Sequence, residues 1–336
     1  MFILETITQA MTVNTFLTAI NMGLIWGIMA LGVWITFRVL NFADLTAEGS
    51  FIFGAGLSAR LIVDFGVDPL LATLAAMVAG MAAGLVTGFF HTVLKIPPLL
   101  SGILTMFGIY SVVLRVMSRP NIPVRLFGGT TTLMSNMSSF LGGVATTVSG
   151  WFGHENVITV SSRTASIAVG FTFVIVILVL LRLFFNTELG CAIRATGDNE
   201  AMVKAQGIDS NLMKVIGLVV GNACVALSGA LLFQAQGSAD INMGQGIIVF
   251  GIASVIIGEV IFSDKNRHWA MVAVVFGSIV YRIIIAFVIG LGIMHPNDFR
   301  LFTALMIALV LALPMFREKF NIQFKKMLIG KKRGDR

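Results

Sequence analysis

The chain has 336 residues, of which 57% are hydrophobic and only 12% charged, with a formal net charge of +7. Soluble domains carry roughly 25% charged residues, so a soluble enzyme or binding module is excluded and a polytopic helical membrane protein is indicated. The positive balance does not point to nucleic acid, because much of it lies in 317–336 (REKFNIQFKKMLIGKKRGDR), directly after an apolar run, where it reads as a cytoplasmic anchor on anionic lipid.

In chain order, MFILETITQA lacks the basic region of a cleaved signal peptide, so the first span is expected to be retained. Runs long enough to cross about 30 Å of hydrocarbon predict one all-α transmembrane domain with about nine spans (eight to ten). They fall at 12–37, 47–63, 69–94, 98–117, 164–185, 212–233, 244–262, 269–292 and 299–316. The second is the shortest, with Glu48 and Arg60 near its ends. With the tail inside, counting back puts the links bearing Lys95, Lys204, Lys214, Lys265 and Arg267 in the cytoplasm and the N-terminus outside, as the positive-inside tendency expects. The segment 118–163 then lies outside. Its Leu133–Trp151 stretch, apolar but rich in Ser, Thr and Gly, reads as one or two short interfacial helices.

Asn41–Gly49, NFADLTAEG, is a polar break joining two spans with almost no room for a loop. Asp44 and Glu48 stand at i,i+4, which would place them on one helical face, and Asn41 and Thr46 can satisfy freed backbone groups. Asp44 or Thr46 as the cap of the second span, and a discontinuous helix beside a translocation path, are both compatible with these residues. Further on, Gly80, Gly84 and Gly88 in the third span and Gly217 and Gly221 in the sixth recur at helical spacing, which favours close helix packing.

The stretch 186–211, NTELGCAIRATGDNEAMVKAQGIDSN, is a compact charged insertion between two spans. Asp198 or Asn199 can cap a short helix that Gly207 ends. Such a helix on the cytoplasmic side reads as a docking surface. Deeper charges are few. Glu259 and Arg282, in adjacent spans, are expected to pair.

Chemistry-bearing patterns are lacking. His91, His154, His268 and His295 lie in unrelated segments, and no pair has metal-ligand spacing. Cys191 and Cys224 make no disulfide framework. The sequence contains no G-x-x-x-x-G-K-[ST], nucleophile elbow or HExxH. No catalytic residue, metal site or cofactor is expected, and an ATPase of this chain's own is excluded by that route.

Two passages carry a resemblance. VLNFADLTAEGSFIFGA, following NMGLIWGIMALGVWITFR, resembles the start of the permease subunits of bacterial ABC importers for branched-chain amino acids. It is closer to a related branch linked to aromatic amino acid uptake, since the broader group has His and Gly where this chain has Asp44 and Leu45. LGCAIRATGDNEAMVKAQGIDSNLMKVIGLVVGNACVALSGALLFQAQG is similar to the coupling segment of the same superfamily and the span after it. The resemblance implies a permease in the bacterial inner membrane, working with a second copy or a homologous permease, a cytoplasmic ABC ATPase dimer and an extracytoplasmic substrate-binding protein. It implies that Arg194, Gly197, Asp198 and Glu200 make polar contacts with the ATPase, that Ala201, Met202 and Ala205 are buried in its groove, and that Gly207 ends the helix. The polarity of NFADLTAEG at a span junction makes Asn41, Asp44, Thr46 and Glu48 the candidates to border the translocation path. A sugar or nucleoside permease of the same superfamily, and a stand-alone carrier or channel, are the competing readings.

Overall fold

An apolar run free of proline propagates the first helix, α1 (Val13–Val33), which continues into a π-helical turn at Trp34–Val39. The computed structural model describes residues 13–124, 131–151, 161–262, 269–290 and 305. After the π turn the backbone breaks, with Asn41 in the left-handed region at φ +52°. It resumes as α2 (Thr46–Val63). Asp68 caps α3 (Pro69–Thr92), accepting the Leu70 N–H at 2.8 Å, and the proline at the first helical position loses nothing there. A proline likewise starts α4 (Pro98–Met117).

A short strand β1 (Asn121–Pro123) precedes α5 (Leu133–Trp151), a single helix of 19 residues that packs along α6 (Ser162–Phe185). Of the one or two short helices the sequence suggested, the segment forms one, packed on α6. Its first turn is tied to the bundle by the Leu133 N–H, which donates to Gln234 at 2.9 Å. Next come α7 (Glu188–Asp198), α8 (Glu200–Ala205), α9 (Ser210–Gln236), β2 (Ser238–Asp240), α10 (Ile247–Phe262) and α11 (Ala270–Gly290). β1 and β2 pair antiparallel, Ile122 opposite Ala239, the one small sheet among the otherwise helical elements of the described residues.

Helices occupy the first eight expected spans. Among the described residues, six helical segments are long and apolar enough to cross a membrane: Asn14–Val39, Pro69–Thr92, Pro98–Met117, Ser162–Phe185, Ser210–Gln236 and Ala270–Gly290. The ninth expected span and the basic tail lie outside the described residues, apart from residue 305.

α1 and α9 form the centre, with Ile25, Ile28, Leu31, Leu231 and Phe233 fully buried. In lipid, helix association relies on close packing, because the tails are as apolar as leucine. The glycines supply that approach. A methyl group on Gly84 would stand 2.5 Å from the Leu218 carbonyl oxygen, and one on Gly88 would stand 2.9 Å from Val215. α3 therefore lies directly on α9 through its own glycines, while Gly221 of α9 packs against Thr36 and Gly32 and Gly217 against Leu40.

The polar contacts sort to two ends. At one end Arg38 donates to Glu259 at 2.7 Å, Phe42 stacks edge-on with His91, and Gly197 presses on the Val39 carbonyl. At the other end Asp64 pairs with Arg60 and, at 3.0 Å, with Arg119, while Arg163 donates to Asn14 at 2.7 Å. The expected Glu259–Arg282 pair does not form. Glu259 reaches back to α1, and Arg282 lies 3.9 Å over the Trp26 ring with its Nε buried and without a partner. Adjacent spans supplied the right neighbourhood, but Gly258 packs on Ala273 and Phe250 on Tyr281, so Glu259 and Arg282 stand at different depths along the pair.

Candidate functional site

The stretch between α6 and α9 folds as an elbow. Thr187 caps α7, its hydroxyl accepting the Gly190 N–H, and Asn199, in extended conformation, breaks the helix. The Asn199 side chain then accepts the Met202 N–H at 3.1 Å and starts α8. Of the two caps the sequence allowed, Asn199 is the one used. Gly207 closes the elbow at φ +80°, a left-handed turn that glycine makes without a Cβ penalty. Asp209 then caps α9 through the Asn211 and Leu212 N–H groups.

Two buried residues, Ile193 and Val203, fasten the elbow to the bundle. Gly197 does so too, since any side chain there would overlap the Val39 carbonyl oxygen at the end of the π turn. Arg194 lies over the Phe185 ring at 4.7 Å. Glu200 pairs with Lys204 at 2.8 Å and Lys214 at 2.7 Å and accepts from Ser210 at 3.1 Å. Hydrogen bonds from Lys204 and then Lys214 pull its carboxyl down to about 2. Ala201, Met202 and Ala205 are exposed, Met202 by 45%, and Asp198 is exposed beside them. The elbow therefore uses Arg194, Gly197 and Glu200 as fasteners and leaves Ala201, Met202 and Ala205 outward.

The break at 41–45 separates its residues. Asp44 is fully buried, and its Oδ1 accepts the Thr46 N–H at 2.9 Å, a local turn that starts α2. Its Oδ2 accepts from Asn222 of α9 at 2.7 Å, and Ser50 donates to the same carboxamide at 2.7 Å. The Thr46 hydroxyl meets Thr87 of α3 at 2.6 Å. Asp44 and Thr46 thus lock three helices together. Asn41 is exposed at the Arg38 end. Because α2 begins only at Thr46, the i,i+4 spacing does not put Asp44 and Glu48 on one face. Asp44 turns to α9, whereas Glu48 accepts the Gly246 N–H at 3.0 Å.

Gly246 belongs to a second break, the turns between β2 and α10, which run down beside α2 until Gly244 touches Ile52 and the Glu48 carbonyl. Where these segments meet α4, a cavity of about 230 Å³ opens, lined by Glu48, Ile52, Met106, Phe107, Tyr110 and Gln245. Irregular backbone inside a bundle persists where it is buried or lines a cavity, and here two breaks converge on one. Sequence reasoning named Glu48 but missed its partners. The glycines Gly244 and Gly246 were the available signal.

The sequence matches the family model for the permease component of branched-chain amino acid transport systems over residues 15–311. It is 37% identical to a tyrosine transport system permease protein from Clostridioides difficile (strain R20291), over 92% of this chain and 93% of that protein. It is 30% identical to the uncharacterized protein RP368 of Rickettsia prowazekii (strain Madrid E), over 89% and 97% of the two chains. The ribose import permease protein RbsC of Escherichia coli (strain K12) is similar at 24% identity over 74% and 70%. A bundle of long apolar helices and a match across most of its length make this chain a multi-pass membrane permease, a member of the branched-chain amino acid transport system permease family.

Proposed function

We propose that the chain forms the translocation path of an ATP-driven importer for an amino acid, with aromatic amino acids the favoured class. The observation that carries this is the elbow α7–α8. It is fastened to the ends of α1 and α9, and it holds an apolar face of Ala201, Met202 and Ala205 outward. A cytoplasmic ABC ATPase dimer would take that face into a groove, with Asp198 as the outward polar contact and Arg194, Gly197, Glu200 and Gly207 keeping the elbow in shape. ATP is hydrolysed there, and this chain does no chemistry and holds no cofactor. Closure of the ATPase would move the elbow and, through Val39, the start of α2.

The remaining parts of the reading follow from the two polar ends. The end with Arg38, the elbow and its lysines faces the cytoplasm, in line with the positive-inside tendency. The end with Asp64, Arg119 and the small sheet receives an extracytoplasmic substrate-binding protein. About nine spans, an external N-terminus and a cytoplasmic tail on membrane lipid complete the topology, with a second copy or a homologous permease beside it. Glu48 borders the path, and Asp44 and Thr46 hold its wall. The identity to a tyrosine permease supports an amino acid over a sugar, since the ribose permease is the more distant relative.

The test is reconstitution with the cognate ATPase and binding protein in proteoliposomes. ATP-dependent accumulation of L-tyrosine that aromatic amino acids compete and D-ribose does not is expected. Uptake without ATP, or uptake of ribose alone, rejects the reading.

A further inference from the structure

The cavity between α2, α4 and the turns before α10 has a composition that bears on what it holds. It has one ionisable acid, Glu48, and one amide, Gln245, and its walls are otherwise mainly apolar or aromatic, with Phe107 and Tyr110 on one side and Ile52 and Met106 on the others. Among the described residues, one carboxylate oxygen has a partner, the Gly246 N–H on Oε1, and Glu48 has no ion pair. An acid within a membrane bundle is costly to keep and marks a pathway when no cation faces it. Its volume of about 230 Å³ falls below the roughly 300–1,000 Å³ of sites for drug-sized ligands, so the occupant is small. A carboxylate beside an aromatic wall fits a small cation that carries an apolar body, and aromatic faces also attract ammonium groups.

We propose that this cavity is the substrate's resting site within the permease, where Glu48 is the counter-ion of an amino acid's ammonium group and Phe107 and Tyr110 pack against its side chain. The proposal rests on the reading of the chain as an amino acid permease and adds the group that recognises the substrate. Tightly packed backbone on the far side fixes the carboxylate. Gly244 has no room for a side chain against Ile52, and Gly246 holds φ +80° to aim its N–H at Oε1.

The experiment uses full-length permease with Met106→Cys in a Cys191→Ser, Cys224→Ala background, assembled with its ATPase in nanodiscs. The cationic reagent 2-aminoethyl methanethiosulfonate and the anionic 2-sulfonatoethyl methanethiosulfonate are compared, each normalised to its rate with a free thiol. A nearby carboxylate should favour the cation by about tenfold. Glu48→Gln keeps an oxygen for the Gly246 N–H and should bring the ratio to near one. L-Tyrosine should slow labelling, and 3-(4-hydroxyphenyl)propionate, which lacks the ammonium, should not.

A ratio near one with Glu48 present, a ratio unchanged in Glu48→Gln, or no labelling by either reagent, as in a lipid-filled cavity, overturns the proposal. Equal protection by the two tyrosine analogues overturns it as well. Val113→Cys on the same wall is the second reporter should Met106→Cys not assemble. The two readings fail separately. L-Tyrosine uptake whose KM is unchanged by Glu48→Gln removes this site and leaves the permease reading. Absence of amino acid uptake with the charge preference intact removes the amino acid.

Discussion

The Asn222 carboxamide donates to the buried Asp44 carboxylate at 2.7 Å, across 178 positions of sequence, and accepts from Ser50 at 2.7 Å. This one side chain joins the break before α2 to the central helix α9. Asn222→Ala leaves Asp44 Oδ2 and the Ser50 hydroxyl unsatisfied, and stranding a buried polar group costs about 1–3 kcal/mol. A clear fall in the thermal midpoint of monodisperse permease, followed by fluorescence-detected gel filtration, is expected. The swap Asp44→Asn with Asn222→Asp keeps an acid–amide pair and should recover most of the loss. A swap no better than the single variant would show that the pair itself contributes little.

How much of this was legible in sequence depends on range. NFADLTAEG announced a break and a cap, because Asp and Asn close to a helix start have local backbone to bond. Asp44's partner on α9 had no local signal. The elbow was readable at Gly207 and, to within one residue, at the cap Asn199, where capping chemistry is local, yet the inward pairing of Glu200 with Lys214 depends on how α8 folds back on α9. Glu259 and Arg282 show the limit. Span adjacency was inferred correctly, but the register of α10 on α11 decided the partners, since it sets Glu259 near Ala273 and leaves Arg282 level with Phe250 and over Trp26. The π turn at Trp34–Val39 carries no proline or glycine to mark it.

Gly197 is the point at which the elbow meets α1. In Gly197→Ala the methyl group would overlap the Val39 carbonyl, and overpacking of this kind costs about 1–3 kcal/mol. The elbow must shift on the bundle. Membrane insertion should be unchanged, while substrate-stimulated ATP hydrolysis and uptake by the reconstituted importer fall together. Unchanged coupling would mean that the elbow moves independently of α1.

The pairing of Glu200 sets a pH dependence with a definite sign. Its carboxyl is held down to about 2 in the folded chain, from an ordinary value of 4.5. A depressed folded value contributes stability that is fully present above the ordinary value and is lost as pH falls through the folded one. Local protection of α8 amides against hydrogen exchange should therefore be constant from neutral pH down to about 5 and fall progressively toward about 2. Glu200→Gln should lower that protection at neutral pH and remove the acid-dependent loss. The same loss in Glu200→Gln would assign it to another group.

Arg38 and Glu259 meet at 2.7 Å with 59% and 33% of their side-chain surfaces exposed. Exposed pairs are worth about 0.2–1 kcal/mol. A double-mutant cycle on Arg38→Gln and Glu259→Gln should return a coupling within that range. The same cycle on Arg282→Gln and Glu259→Gln should return none, because Arg282 spends its charge on the Trp26 face. Quenching of Trp26 fluorescence should change in Arg282→Gln and stay constant in Arg38→Gln. Coupling between Glu259 and Arg282 would restore the pairing that the sequence suggested.

Two glycines make opposite predictions about helix surfaces. Gly54 faces the Ala226 carbonyl of α9, and Gly229 of α9 faces the Phe51 carbonyl of α2, so each helix accommodates the other's backbone. Gly54→Ala forces α2 off α9 and should cost at least about 1–3 kcal/mol, seen as a lower thermal midpoint and lower yield. Gly108, on the outward face of α4 with Phe107 and Tyr110, has nothing within 4 Å. There alanine gains about 1 kcal/mol of helix propensity and should raise the midpoint of the isolated permease. The assembled importer reads something further. If a second permease packs on this face, Gly108→Ala should weaken its association and lower uptake even as the single chain becomes more stable. If the face meets lipid, stability rises and uptake is unchanged. The contrast between purified chain and assembled importer therefore decides whether the wall of the Glu48 cavity is closed by a partner or by the bilayer.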